Sequence, residues 1–252
     1  MDCNLTIDVG NSCIKAVLFR AGSSEEVAAT TLRGPGVISR LANFLEPHTI
    51  SAAMACSVAK SPAPLLEVVD SPVKMELSAG TPVPIANRYA TPSTLGVDRL
   101  AAAVGAATIC AGRELLVCDL GTACTYDVVS ADGAYLGGNI APGVGMRLRA
   151  LHHYTERLPL VNAHSAADLV DFGTDTASAL CAGALRGVVA ELLYYRMLGV
   201  DTPRRVVLSG GWAPELAALL PADAAADVTL YPHLVNQGLN SILLHNLHHS
   251  DR

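Results

Sequence analysis

Six residues that occur twice constrain this chain more than any other feature. Asp8-Val9-Gly10-Asn11-Ser12-Cys13 returns as Asp119-Leu120-Gly121-Thr122-Ala123-Cys124, close to half the chain away. Each copy follows a short apolar run, Leu5-Thr6-Ile7 in one case and Leu115-Leu116-Val117-Cys118 in the other. Each also leads into a second strand-like run, Cys13 to Phe19 or Thr125 to Val129, that ends in the turn signal Ala21-Gly22-Ser23-Ser24 or Ala131-Asp132-Gly133. A repeat at this distance predicts two related lobes, each opening with consecutive hairpins, rather than a solenoid of short period. Glycine at such a turn lets backbone N–H groups approach an anion, and Asn11, Ser12 and Thr122 add short polar groups for phosphate oxygens. Two turns of this kind suit a polyphosphate gripped from both sides. Asp8 and Asp119 end the apolar runs, where an ionised carboxylate is costly unless donors or a cation satisfy it. A metal ion accompanying a nucleotide meets that need.

With 252 residues the chain can bury one large core or two of ordinary size. A formal net charge of −6 and the lack of a basic stripe argue against nucleic acid as a partner. No charged-then-apolar signal opens the sequence, and no run of about 18 uninterrupted apolar residues suggests a membrane span, so the expectation is a cytoplasmic protein without a membrane partner. The seven cysteines are odd in number, scattered through apolar segments and free of any C-x-x-C pair, which reads as reduced core thiols. Only 4% of residues are aromatic, so alanine, valine and leucine must fill the interior.

Helix and strand signals alternate along the rest of the chain, which gives an α/β architecture. Helical spacing covers Val37-Ile38, Leu41 and Phe44-Leu45; residues 50–58 read as a small-residue strand and 65–69 as a short helix after Pro62 and Pro64. Further on, helices are expected over 144–154, 176–198 and 213–220, with a strand over 205–208. No linker divides the chain. The boundary is placed near Gly112, so that residues 1–112 form an N-terminal lobe and residues 113–252 a C-terminal one.

A second constellation is Gly96-Val97-Asp98-Arg99, preceded by Tyr89 and Pro92 and followed by the alanine-rich run Leu100 to Ala107. Pro92-Ser93-Thr94-Leu95 reads as a loop feeding a helix whose first turn contains Asp98, where the backbone dipole favours an acid. Taken alone, Asp98 is better explained by helix capping than by chemistry, and its neighbours are what change the balance.

Together these residues resemble the type III pantothenate kinases, members of the superfamily that also holds actin, sugar kinases and acetate kinases. The resemblance is carried by Asp8-Val9-Gly10-Asn11-Ser12 with Lys15, by Tyr89 with Gly96-Val97-Asp98-Arg99, and by Asp119-Leu120-Gly121-Thr122-Ala123 with Thr125 and Asp127. It continues through Gly137 to Gly143, Leu158-Pro159, Gly173 with Thr176 and Gly183, Ser209-Gly210-Gly211 and Gly238-Leu239. Ser12 stands where threonine is more usual, which keeps the hydroxyl, and Trp212 is bulkier than expected; it either stacks on adenine or plugs a gap. The fold implied is two related lobes of the actin-like ATPase (ribonuclease H-like) duplicated fold, with a nucleotide cleft between them.

The resemblance implies ATP-dependent phosphorylation of pantothenate, the first step towards coenzyme A. Asp98 would take the proton of the attacking hydroxyl and Arg99 would supply positive charge. Asp8 would organise Mg²⁺ through its waters, and residues 8–15 (Asp8, Val9, Gly10, Asn11, Ser12, Cys13, Ile14 and Lys15) with Thr122 would hold ATP. Asp119 would take a monovalent cation, potassium or ammonium. Tyr89, Gly96, Val97, Asp98, Arg99 and Thr176 would bind pantothenate, with Thr176 coming from the neighbouring subunit of a homodimer that shares its active sites. Ala179, Gly183 and Gly187, spaced by four, form a stripe that permits close helix packing, either inside one subunit or against a second copy.

Other features have plainer readings. His152-His153, His245, His248 and His249 lack supporting ligand spacing and read as solvated. Cys13 and Cys124 lie in the phosphate turns but read as small packing groups. Lys15 is either a solvent-facing strand residue or a phosphate ligand. Two other functions use the same scaffold: a kinase of another small hydroxy or acid substrate, and a non-catalytic nucleotide-binding regulator.

Overall fold

The computed structural model describes residues 2–58, 60–163 and 169–250. In chain order the elements are β1 (Asp2–Val9), β2 (Ile14–Arg20), β3 (Glu26–Leu32), α1 (Val37–Leu45), β4 (Thr49–Ser57), α2 (Ala63–Glu67), β5 (Val73–Glu76) and α3 (Val97–Ile109). They continue with β6 (Leu115–Leu120), β7 (Ala123–Val129), β8 (Tyr135–Pro142), α4 (Val144–His153), α5 (Thr176–Met197), β9 (Arg205–Ser209), α6 (Ala213–Ala217), α7 (Ala222–Ala225), β10 (Val228–Leu230) and α8 (Leu234–Ser250). The chain divides into two compact units. The first holds the residues up to Gly112, Asp132–Leu136 and the stretch from His233 onward; the second holds Arg113–Ala131 and Gly137–Pro232.

In the first unit the sheet runs β3-β2-β1-β4-β5, with β1 antiparallel to β2 and parallel to β4. Strand β1 is buried on both faces. Its odd residues Cys3, Leu5, Ile7 and Val9 join Leu41, Leu45, Leu65 and Leu66 of α1 and α2 in an apolar core. Its even residues Asn4 and Thr6 are equally buried and polar. Helix α8 satisfies them: the Asn236 amide donates to the Thr6 hydroxyl at 3.1 Å, and the Asn4 amide donates to Asn240 at 3.4 Å. Left without partners, each such group would cost about 1–3 kcal/mol, so β1 and α8 depend on one another.

The sequence boundary assigned everything beyond residue 112 to the second lobe, whereas α8 belongs to the first unit. Backbone proximity explains the difference. Gly105 on α3 and Gly238 on α8 lie where the two helices touch; a Cβ on Gly105 would be 2.5 Å from the Leu234 carbonyl, and one on Gly238 would strike the Ala101 carbonyl. Only glycine permits so close a crossing.

The second unit repeats the scheme. Its sheet runs β10-β9-β6-β7-β8, which read from the other end places a hairpin pair beside a central strand and two parallel strands beyond, as in the first sheet. Leu116, Cys118, Leu120, Tyr126, Val206 and Leu208 from the sheet pack against Leu148 of α4 and Leu185, Val188 and Leu192 of α5. Among the described residues, α5 is the one helix long and apolar enough to cross a membrane by length and composition, although its apolar run is interrupted by Arg186 and Glu191. Its inner face is part of this core and its Arg196 bonds Asp227 at 3.0 Å, so it is built here as a core helix. The short helix expected over 213–220 stops at Ala217.

Candidate functional site

In the first unit, Asp8 is the penultimate residue of β1 and the chain then turns through Gly10–Cys13, closed by a 3.1 Å bond from the Gly10 N–H to the Cys13 carbonyl. Val9 is buried and pairs with Ile14, which anchors the hairpin and leaves Asn11 and Ser12 exposed at its tip, with Gly10, Cys13 and Ile14 half-buried. Lys15 is the cross-strand neighbour of Asp8. On the other side of Asp8, strand β4 places Cys56 in register, and the thiol donates to Asp8 Oδ1 at 3.7 Å. Cys56 is fully buried. Burial pushes its pKa well above the ordinary thiol value, and the carboxylates of Asp8 and then Asp98 push it further. Two acids from motifs far apart in sequence therefore act on one thiol: Asp8 of the first turn and Asp98 of the Gly96–Arg99 segment.

A 3-10 turn at Pro92–Thr94, with its Thr91 and Thr94 hydroxyls 2.7 Å apart, and the buried Leu95 deliver the chain to α3. Gly96 caps that helix without a side-chain bond, and Asp98 in its first turn accepts the Arg99 N–H at 2.8 Å. Asp98 thus does some of the work of a cap while remaining half-buried. Burial raises its carboxyl above the usual range, against the Arg99 N–H and guanidinium, which lower it. Arg99 is 7% exposed, so its charge is held inside the fold next to that acid. Val97 is half-buried beside them. Tyr89 packs its ring on the buried Tyr135 at 5.9 Å, and its N–H bonds the Asn87 side chain.

In the second unit Asp119 is the penultimate residue of β6, and the turn is one residue shorter, closed from the Gly121 N–H to the Ala123 carbonyl at 3.0 Å. The neighbours of Asp119 across the ladder are Thr125 on β7 and Ser209 on β9. Gly210 follows with φ +95°, and a Cβ there would lie 2.5 Å from Asp119 Oδ1. An added Cβ would lie equally close to the Leu120 backbone, so only glycine lets the chain pass this near the Asp119 carboxylate, whose oxygen chemistry suits a hard cation. Thr122 is half-buried, and its carbonyl accepts the Gly143 N–H at 3.2 Å. Cys124 is buried and pushed up to about 11, chiefly by burial, so it stays a neutral packing thiol. The Trp212 N–H bonds the Leu120 carbonyl at 3.0 Å and the indole packs against the apolar core, which favours the gap-filling reading.

Thr176 opens α5 and is exposed. Asp175 before it forms a capping box, accepting the Ala177 and Ser178 N–H groups at 2.9 and 3.0 Å. Bonds from Ser178 hold the Asp175 carboxyl below its usual range. The small-residue stripe divides: Ala179 and Gly183 are exposed with open space beside Gly183, while at Gly187 the Arg147 guanidinium fills the room. His152 and His249 bond backbone carbonyls at 2.7 Å, and among the described residues no group of three ligand-type side chains is poised for a metal.

Sequence reasoning missed two features. Cys56 has no motif of its own, and only the register of β1 against β4 brings it to Asp8. The Tyr126, Arg147 and Glu191 cluster joins three elements and carries no local signal beyond charged residues inside otherwise apolar helices.

Residues 4–195 match the family described as type III pantothenate kinase. A type III pantothenate kinase of Porphyromonas gingivalis is 37% identical over 98% of this chain and 100% of its own length. One of Phocaeicola vulgatus is also 37% identical, over 96% of this chain and 98% of its own. Among solved structures, the activator of the 2-hydroxyisocaproyl-CoA dehydratase from Clostridium difficile with bound ADPNP aligns over 99% of this chain and 97% of its own with a TM-score of 0.58. At 13% identity that likeness speaks to the fold, which is that of the actin-like ATPases and sugar kinases.

Proposed function

The chain belongs to the type III pantothenate kinase family, enzymes of ATP-dependent pantothenate phosphorylation in coenzyme A biosynthesis, and we propose that its transfer to 4'-phosphopantothenate uses Asp98 as the proton acceptor. The observation that supports this most is Asp98 itself, half-buried in the first turn of α3, where it accepts the Arg99 N–H at 2.8 Å beside the buried Arg99 side chain. A primary hydroxyl is a poor nucleophile, so the reaction needs the alcohol aligned and its proton accepted late in a loose transition state. Asp98, raised by burial, is a better base than an exposed aspartate and is oriented by the Arg99 N–H. Arg99 supplies positive charge, and Tyr89, Gly96 and Val97 line the alcohol's side of the site.

In the first unit, the Gly10 turn with Asn11, Ser12 and Lys15 is the phosphate-holding element, flanked by Val9, Cys13 and Ile14; in the second unit, Thr122 is the residue assigned to ATP. Mg²⁺ bound with ATP supplies charge neutralisation on the transferred phosphoryl group. Asp8 would hold that ion through its waters, and the Asp119 carboxylate beside Gly210 would take a monovalent cation, potassium or ammonium. The exposed Thr176, Ala179 and Gly183 support a homodimer in which Thr176 serves the neighbouring subunit's substrate. The compartment that fits the free thiols is the cytoplasm.

Purified protein incubated with ATP, Mg²⁺, potassium and pantothenate tests this directly. Formation of phosphopantothenate is the expected result. Turnover only with other acceptors, or nucleotide binding with no turnover, would replace the reading with another kinase or with a regulator.

A further inference from the structure

Arg147 lies on α4, outside every motif, yet all three of its guanidinium nitrogens have defined surroundings. Nε donates to the Pro142 carbonyl at 2.7 Å, and Nη2 donates to both oxygens of Glu191 on α5, at 2.5 and 2.6 Å. Nη1 occupies the space that a side chain at Gly187 would take, 3.0 Å from an added Cβ. The Tyr126 hydroxyl on β7 donates to Glu191 Oε2 at 3.0 Å, and Tyr126 is itself buried against Tyr195. With side-chain exposures of 19% and 31%, Arg147 and Glu191 form an ion pair shielded enough to hold geometry rather than merely decorate a surface.

What the cluster grips is the chain just before α4. Pro142 is followed by Gly143, whose N–H bonds the Thr122 carbonyl, and a Cβ on Gly143 would strike the carbonyls of Gly121 and Thr122. The Pro142–Gly143 backbone is therefore the floor of the second phosphate turn. We propose that Arg147 is a positioning residue for that turn: by bridging the Pro142 carbonyl to Glu191 it fixes the floor on which Gly121 and Thr122 rest, and so sets the affinity for ATP. The proposal rests on the reading that this turn holds nucleotide phosphate. It also gives Gly187 an intramolecular duty, making room for the guanidinium, separate from the open face at Gly183.

Lysine is the discriminating substitution, because a single ammonium can face Glu191 but cannot also reach Pro142 with a second fixed donor. Steady-state kinetics with ATP and pantothenate varied separately, together with thermal melting, would compare Arg147→Lys, Arg147→Met, Glu191→Gln and Thr122→Val with the unaltered enzyme. Arg147→Lys is expected to melt within about 3 °C of the parent yet to raise KM for ATP about fivefold, and Arg147→Met about tenfold, with KM for pantothenate moving less than about twofold. Glu191→Gln should shift KM for ATP in the same direction by a smaller factor. If Arg147→Lys restores the parental KM for ATP, or if both KM values rise together, the cluster is only structural and the proposal fails. An intact ATP response in Thr122→Val would sink the nucleotide reading of the turn, and the proposal with it. Weakened ATP use in Thr122→Val alone would remove only the role of Arg147.

Discussion

The two hairpin turns share a sequence pattern and differ in what faces their aspartates. Across the ladder from Asp8 stand Lys15 and the Cys56 thiol, a cation and a donor already in the fold. In the corresponding places beside Asp119 stand Thr125 and Ser209, with the Gly210 backbone close against the carboxylate. The two acids are thus distinguished by their neighbouring strands as well as by the length of their turns. Under the proposed function, the first acid works with the reacting phosphates and the second accepts a cation from solution.

The largest expected effect belongs to the first turn. Asp8→Asn should lower turnover about a thousandfold and raise the Mg²⁺ needed for half-maximal rate, as measured by a magnesium titration. If Asp119→Asn disturbs the magnesium response more than Asp8→Asn does, the division of labour is reversed.

Next comes Asp98, the half-buried acid in the first turn of α3. Asp98→Asn should cut phosphorylation at least about a hundredfold while ATP binding, followed by calorimetry, persists. Near-normal turnover would take Asp98 out of the mechanism. Because burial raises its folded-state pKa, the stability it contributes is present below the unfolded-state value and lost as pH rises through the folded one. At neutral pH its ionised form is therefore a net cost, and Asp98→Asn should melt about 2 °C higher than the parent. By the same sign, the acid limb of the parental pH–rate profile should lie above about 4, the ordinary aspartate value, and a limb below it would contradict the role of burial.

A smaller change is expected in the second turn. Asp119→Asn should reduce the rate about tenfold at saturating potassium and flatten its dependence on that ion. Gly210→Ala should instead lower the melting temperature, since the added Cβ would meet Asp119 Oδ1 and the Leu120 backbone at 2.5 Å with φ at +95°. An unaltered potassium response in Asp119→Asn would remove the cation from that carboxylate. The smallest effect is Ser12→Thr at the exposed tip of the first turn, where the hydroxyl is retained and kinetics should stay within about twofold of the parent. A larger change would mean that the tip is packed more tightly than its exposure indicates.

Much of this was legible along the chain because it is local. The apolar runs around Leu5 and Leu115, the glycines that follow Asp8 and Asp119, and the helix signals over Val37–Leu45 and Thr176–Met197 each depend on neighbours a few residues away. Asp98 was placed in the first turn of a helix by the same logic, and α3 begins there. Less legible was α8, whose Asn236 and Asn240 resemble surface residues until β1 presents Asn4 and Thr6 to them. Arg147 and Glu191 were invisible for the same reason, being 44 residues apart and joined only by the packing of α4 on α5.

By itself, then, the sequence determined that this chain makes a doubled α/β scaffold with two Asp-x-Gly turns, because turn chemistry and apolar periodicity act over distances shorter than one element. Only the tertiary structure decided which partner each acid meets, that Cys56 lies against Asp8, that the Gly210 backbone comes close to Asp119 and that Arg147 braces Pro142. Those choices are made by strand register and helix crossing, and both depend on contacts between residues far apart in the chain, where no local pattern can specify them.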